Sequence, residues 1–280
     1  MTTAATARER RSRSERRRVA KPPIVAELGT AIEQGEIEVL FQPQFASDDS
    51  RIVGAEALSR WRHPHLGTIA GDQLFAVAAQ GGLTEALSDK VGGTALETAR
   101  HWAGGLQLSL NVTAPDVLAT DFVSKIEAAL TAFRFPGDRL TLEITEQILL
   151  ADLGDTAAKL SQLTDLGVRI ALDDFGAGFC NFDYLKRLPL HGLKLDRAMV
   201  QGIDTDPRDL VVFRGIVAMA KGLGLDVTAE GIERESQRSA VVREGCTSWQ
   251  GFLGAEPISG AEFAASAGRA SGTLNLLTRD

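Results

Sequence analysis

The sequence predicts an α/β protein, an irregular TIM-like (β/α)8 barrel whose first strand runs antiparallel. Three observations predict it. Apolar β-type runs alternate with helix-length stretches from residue 36 onward, the pattern of parallel strands joined by right-handed crossovers. Seven or eight such units fall within about 250 residues, which suits a closed barrel better than an open sheet. The first two strand runs are separated only by residues 46–51. That gap is too short for a helical crossover, so the pair is expected to be an antiparallel hairpin.

Composition is compatible with such a core. At 44% hydrophobic residues the 280-residue chain can fill a globular interior. No apolar run approaches the roughly 18–20 residues needed to cross a bilayer, and the N-terminus has no secretory signal pattern. Cys180 and Cys246 are too few for a disulfide framework, so a cytoplasmic location is expected. Residues 1–21 hold seven arginines and Lys21 against Glu9 and Glu15, a net +6, which leaves −13 on residues 22–280 of a chain whose total is −7. An acidic body repels phosphates. If it binds a phosphate ester, cations must supply the missing positive charge.

In chain order, residues 1–21 lack apolar periodicity and read as a disordered basic arm, of a composition that can touch nucleic acid or anionic membrane. Residues 22–280 read as the barrel domain. After Pro22-Pro23, a short amphipathic helix is expected over 24–34, closed by Gly35. Strands are expected at 39–45, 52–58, 106–112, 140–144, 168–172, 192–195 and 226–229, with a weaker one at 246–249. Helices are expected at 71–80, 83–102, 116–133, 152–165, 181–187, 209–222 and 234–243, several closed by glycines such as Gly167, Gly222 and Gly245.

Chemistry gathers at the C-terminal ends of these strands, which a barrel brings to one face. The second strand offers Glu56, the third Asn111, the fourth Glu143 and then Glu146. The fifth ends in Asp173-Asp174, the sixth in Lys194 and Asp196, the seventh in Glu230 and Glu233, and the eighth in Gln250. One acidic turn after a strand is ordinary; its recurrence on successive strands is not. So many carboxylates in one mouth resist ionisation without a counter-charge. An all-oxygen donor set without a thiolate or His pair suits hard divalent cations, and two such ions serve phosphoester displacement. Asp173 and Asp174 point to opposite sides of a regular strand unless the backbone bends there.

Other signals carry less. His63-Pro64-His65 reads as a structural turn, and Gly176–Gly178 and Gly222–Gly224 lack the context of a nucleotide loop. Cys180 reads as an inert loop cysteine. Trp61, Trp102 and Trp249 read as packing residues, with Trp249 the one candidate stacking platform because it precedes Gln250.

The motifs VGAEALSRW around Glu56, SLNVT around Asn111, EITE at 143–146, LDDFGAGF at 172–179, KLD at 194–196, AEGIE at 229–233 and QGF at 250–252 occur in this order. Together they resemble the EAL family of cyclic di-GMP phosphodiesterases over about residues 36–260. The resemblance implies an irregular barrel that opens cyclic di-GMP to linear pGpG with two Mg2+ or Mn2+ ions. It implies one metal held by Glu56, Asn111, Glu143 and Asp173, with Asp173 bridging to a second held by Asp174 and Glu230. Lys194 matches the residue that orients the attacking water, with Asp196 close by. Gln42, Leu58, Arg60 and Gln250 match substrate-contacting or motif positions, and Glu146 and Glu233 match loop-anchoring or motif glutamates. A homodimer, and a regulatory protein partner, are further expectations.

The chain departs from the family pattern after the Asp pair, where GTGYSS is usual and Gly176-Ala177-Gly178-Phe179-Cys180-Asn181 stands instead. The lost hydroxyls favour an alternative, a silent cyclic di-GMP receptor acting through protein contacts. The intact metal and lysine positions favour an enzyme. Ala70-Gly71 stands in place of a usual Pro, and His191 in place of a common Asp.

Overall fold

The structure, a computed structural model, describes residues 23–146, 148, 153–177 and 182–269. The expected arm and loop residues 178–181, Cys180 among them, lie outside these. Helix α1, Pro23–Gln34, leads into β1, Ile37–Ala46, β2, Ile52–His63, and β3, Gly67–Ala70. Then come α2, Gly71–Gly81, α3, Thr84–Ala99, β4, Gln107–Asn111, α4, Ala114–Leu118, α5, Phe122–Phe133, and β5, Leu140–Thr145. Next are α6, Leu153–Asp165, β6, Arg169–Phe175, α7, Phe182–Arg187, β7, Gly192–Leu195, and α8, Arg197–Val200. The described part closes with α9, Pro207–Gly222, β8, Asp226–Ala229, α10, Glu235–Glu244, β9, Ser248–Trp249, and α11, Gly260–Arg269.

Eight strands close the barrel in the order β1-β9-β8-β7-β6-β5-β4-β2, and β2 pairs back to β1. As expected, β1 is antiparallel, to both β2 and β9. The other barrel pairings are parallel. Side chains alternate between the barrel interior and the helix layer. Leu108, Leu142, Ile170, Leu193 and Val227 are 0% exposed, each contributing about 1.5–3 kcal/mol by burial.

Several elements differ from expectation. The helix expected over 116–133 is two, because Thr113 and Asp116 form a capping box, Pro115 sits in the first turn of α4, and Ala119 is extended (φ −62°, ψ 139°). Strand β2 runs on to His63 because β3, which was not anticipated, pairs with residues 60–63. Helices α8 and α11 were also not anticipated. α11 is held by Phe263, wholly buried against Trp102 with ring centroids 4.4 Å apart. The left-handed residue after α9 is Gly224 (φ 77°), not Gly222.

Trp249 is no stacking platform: it is 0% exposed and stacked on Phe45 with centroids 4.6 Å apart. His63 is structural. Its Nδ1 accepts from the backbone N–H groups of His65 and Leu66, and Nε2 lies 2.7 Å from Glu27. Cys246 is buried, and burial pushes its thiol up to about 12, so it is no nucleophile.

Candidate metal centre

Strand register assembles the site. Gln42 and Glu56 are direct partners across β1 and β2, so both face the interior. Asn111 and Glu143 are partners across β4 and β5. Lys194 projects inward from β7, and Glu230 follows β8 directly. The adjacent acids of β6 need a device to share the mouth. The register with β7 shifts between Leu172 and Phe175, and Asp174 takes a left-handed conformation (φ 55°). Asp tolerates that region better than most residues. The bend that a regular strand lacks is therefore built in, and Asp174 N–H donates to Asp173 Oδ1 at 2.9 Å.

Lys194 is the hub. Its Nζ donates to Glu143 Oε2 at 2.6 Å and Glu56 Oε2 at 3.3 Å, and lies 3.1 Å from Asp173 Oδ1 and 2.8 Å from Glu230 Oε1. One ammonium has three N–H donors, so four carboxylates are more than it can satisfy. Glu230 Oε1, buried, is left without a well-aligned hydrogen bond despite its closeness. Gln250 Nε2 donates to Gln42 Oε1 at 3.0 Å and Glu56 Oε2 at 2.8 Å, while Asn111 Nδ2 donates to Glu56 Oε1 at 2.6 Å.

These contacts divide the carboxylates electrostatically. Burial pushes Glu56 up, but Lys194, Gln250 and Asn111 together outweigh it and hold Glu56 below the usual value. Burial carries Glu143 well above its usual value, and Glu56, Asp173 and Glu230 add repulsion against the pull of Lys194. Burial, offset by Lys194, leaves Glu230 at about 8. Asp174 is raised by burial and by the Asp173 and Asp196 charges. Burial disfavours the charged Lys194, yet Asp173, Glu143, Glu230 and Glu56 reverse this and hold it firmly protonated.

Two candidate ligand groups result, Glu56-Glu143-Asp173 and Asp173-Asp174-Glu230, each with one oxygen per residue within 4.8 Å of the others. Asp173 belongs to both. Once all five carboxylates are ionised, as cation binding would require, they leave four negative charges against the one ammonium, the number two divalent cations neutralise. All donors are hard oxygens, and four of the five carboxylates share the single ammonium of Lys194. The residues fit a pair of hard divalent ions.

The other expected residues fall at different distances from this centre. Leu58 lines the cleft beside Glu56. Arg60 lies on the same face of β2, two residues further, with Nη1 donating to Ser59 O at 2.8 Å; it does not reach the carboxylates. Asp196 caps α8 through Ala198 N–H at 2.8 Å, and its charge is felt by Asp174. Glu146 stands half-buried just past β5. Glu233 pairs with Arg197 at 2.9 Å.

Arg197 was missed. It lines a smaller cavity of about 210 Å3 together with Gln42, Glu56, Glu230, Gln250 and Phe252. It is a cation at the edge of an acidic mouth. Gly231 (φ 64°) lies against its stem, where an added Cβ would sit 2.6 Å from Arg197 Cγ. The only signal in the sequence is its place directly after Asp196.

The fold and the doubled carboxylate site define a (β/α)8-type barrel with a candidate two-cation mouth. The EAL domain profile matches residues 25–257, and the chain belongs to the EAL domain family. It is 34% identical over 248 residues to the cyclic di-GMP phosphodiesterase RocR of Pseudomonas aeruginosa, covering 88% of this chain and 63% of RocR. It is 32% identical to the bifunctional diguanylate cyclase/cyclic di-GMP phosphodiesterase MucR of the same organism, covering 87% of this chain and 36% of MucR. The chain thus spans less than two thirds of either relative. Among solved structures, the PaMucR phosphodiesterase in its c-di-GMP complex superposes with a TM-score of 0.82 at 31% identity, covering 86% of this chain and all of that one. The EAL domain of Mycobacterium smegmatis DcpA gives 0.72 at 29% identity, covering 84% and 97%.

Proposed function

We propose that the protein is a phosphodiesterase that hydrolyses cyclic di-GMP to linear 5'-pGpG with two divalent cations, Mg2+ or Mn2+. The observation that carries this reading is the shared ligand Asp173, common to two acidic groups in one mouth. The relatives named for this activity support it.

Glu56, Asn111, Glu143 and Asp173 would hold one ion, and Asp173, Asp174 and Glu230 the other. Bound there, the ions supply electrophilic stabilisation of the phosphoryl oxygens and acidify water. The chain's own residues do the rest. Lys194, held protonated, places a positive charge at the floor of the site, where it can orient a water and balance developing negative charge. Gln250 and Asn111 fix the Glu56 carboxylate by hydrogen bonds, so that ligand is positioned before substrate arrives. Gln42 and Leu58 line the approach, and Arg60 stands further along the same face for a phosphate. Asp196 holds the turn after Lys194. Glu146 would anchor the loop after Asp174, and Glu233 ties the segment after β8 to the start of α8 through Arg197.

The silent-receptor reading rests on the altered residues 177–181. Incubating the protein with cyclic di-GMP and Mg2+ or Mn2+, then separating products by chromatography, decides between the two. Appearance of pGpG that chelator abolishes supports the enzyme; tight binding without pGpG in either metal supports the receptor. The proposal also includes a homodimer, a regulatory protein partner and a basic arm with affinity for nucleic acid or anionic membrane. Sedimentation of the full chain tests the dimer, and deletion of residues 1–21 tests the arm.

A further inference from the structure

Of the four carboxylates around Lys194, Glu230 has the most exposed side chain, 17% against 1–9% for the others. Gln250 and Asn111 brace Glu56 directly. Among the described residues, the one side-chain partner of Glu230 is Lys194. The placement of Glu230 therefore rests on its backbone. Its N–H donates to Leu195 O at 3.0 Å, a last rung beside β7, and Gly231 then turns left-handed (φ 64°).

From that turn, residues 231–237 run against α8 and the turn that follows it. Arg197 lays its stem on Gly231 and pairs with Glu233. Gln237 is buried. Its Oε1 accepts from the N–H groups of Glu233 and Arg234 at 3.0 and 2.9 Å, and its Nε2 donates to Val200 O at 3.4 Å. Arg234 makes the strongest tie. Its Nε and Nη2 fork onto the buried carboxylate of Asp204 at 3.0 and 2.8 Å, and Nη2 also donates to Gln201 O at 2.9 Å.

We infer that Arg234 and Asp204 are positioning residues: their fork locks the segment carrying Glu230 to the segment carrying Lys194, and so sets the affinity of the cation assigned to Asp173, Asp174 and Glu230. The inference rests on the two-cation reading above. Helix α8 follows Lys194 by way of Asp196, so a tie from Arg234 to the end of α8 joins the exits of β7 and β8. A guanidinium fork fixes direction as well as distance, which a single ammonium does not. Side chains that orient a metal ligand without touching the ion commonly carry about 10–100-fold in metal affinity. Charge alone predicts the opposite sign, because removing a cation near an acidic cleft favours the binding of another.

The test is Mn2+ titration of the full chain, followed by calorimetry and by electron paramagnetic resonance. Arg234→Met is expected to weaken one of the two ions at least tenfold and to leave the other within twofold. In an Asp174→Asn background, which removes a ligand of the affected ion, the same change should leave the remaining ion within twofold. Arg234→Lys keeps the charge without the fork. It should fall between wild type and Arg234→Met, and it carries the comparison if the Met variant does not fold. The control is Arg214→Met, which removes the same charge and a similar fork, from Arg214 onto the buried Glu244 at 2.7 and 3.0 Å between α9 and the end of α10. It should match wild type. Unchanged or tighter binding of both ions in Arg234→Met, or equal weakening in Arg214→Met, overturns the inference alone. Fewer than two ions in wild type overturns the two-cation reading along with it.

Discussion

Lys194 Nζ lies 2.6 Å from Glu143 Oε2, with the two side chains 3% and 1% exposed. This pair sets the floor of the mouth, and it is embedded in an excess of negative charge that it cannot neutralise alone.

Removing the ammonium is therefore expected to cost stability before it costs chemistry. Lys194→Met leaves buried carboxylates unpaired, a loss of about 3–5 kcal/mol by analogy with broken buried ion pairs. Thermal denaturation in chelator should show the loss, and adding Mn2+ should raise the melting temperature more in the variant than in wild type. An unchanged melting temperature in chelator would mean that the lysine is not the counter-charge.

Glu56→Ala removes a proposed ligand whose carboxylate is braced by Gln250 and Asn111. Hydrolysis of cyclic di-GMP should fall by roughly three orders of magnitude, equivalent to about 4 kcal/mol of transition-state stabilisation. Circular dichroism should stay as in wild type. Retained turnover would refute the assignment of this metal site.

The Arg197–Glu233 pair is half-exposed, with side chains 56% and 36% accessible, so its contribution to stability should stay below about 1 kcal/mol. Its effect on substrate should be larger. Arg197→Ala is expected to raise KM severalfold while the urea midpoint barely moves, and steady-state kinetics beside denaturant titration separates the two.

A pH effect is expected outside the carboxylate cluster, where α10 begins. Asp204 accepts from Arg234 at 2.8 and 3.0 Å and from Ser236 at 2.5 Å. The Arg234 hydrogen bonds hold its carboxyl at about 2, against an ordinary 3.8. A folded-state value below the unfolded one stabilises above about pH 4, and that gain disappears as pH falls towards 2. Asp204→Asn should thus melt below wild type at neutral pH, with the difference closing between about pH 4 and 2. A constant difference across that window would contradict the linkage.

Legibility of the sequence followed the range of the interactions. Strand runs such as 192–195 and 226–229 are local, period-two signals, and both proved to be strands with those same bounds. The carboxylates at strand ends were legible because barrel topology alone brings Glu56, Glu143 and Asp173 together. Strand β3 was not, since four residues form a strand there only by pairing with β2. The split at Ala119 turned on a capping box whose competing helical pattern looked continuous. The left-handed turn at Asp174 and the position of Arg197 under Gly231 depend on tertiary contacts. No periodicity encodes those.

The most direct measurement is the stoichiometry of Mn2+ binding, followed by calorimetry and by the electron paramagnetic resonance of the bound ion. Two ions per chain are expected in wild type, with spin coupling between them through the shared Asp173, and a single uncoupled ion in Asp174→Asn. One ion or none in wild type, or two uncoupled ions, would contradict a mouth built around a bridging carboxylate.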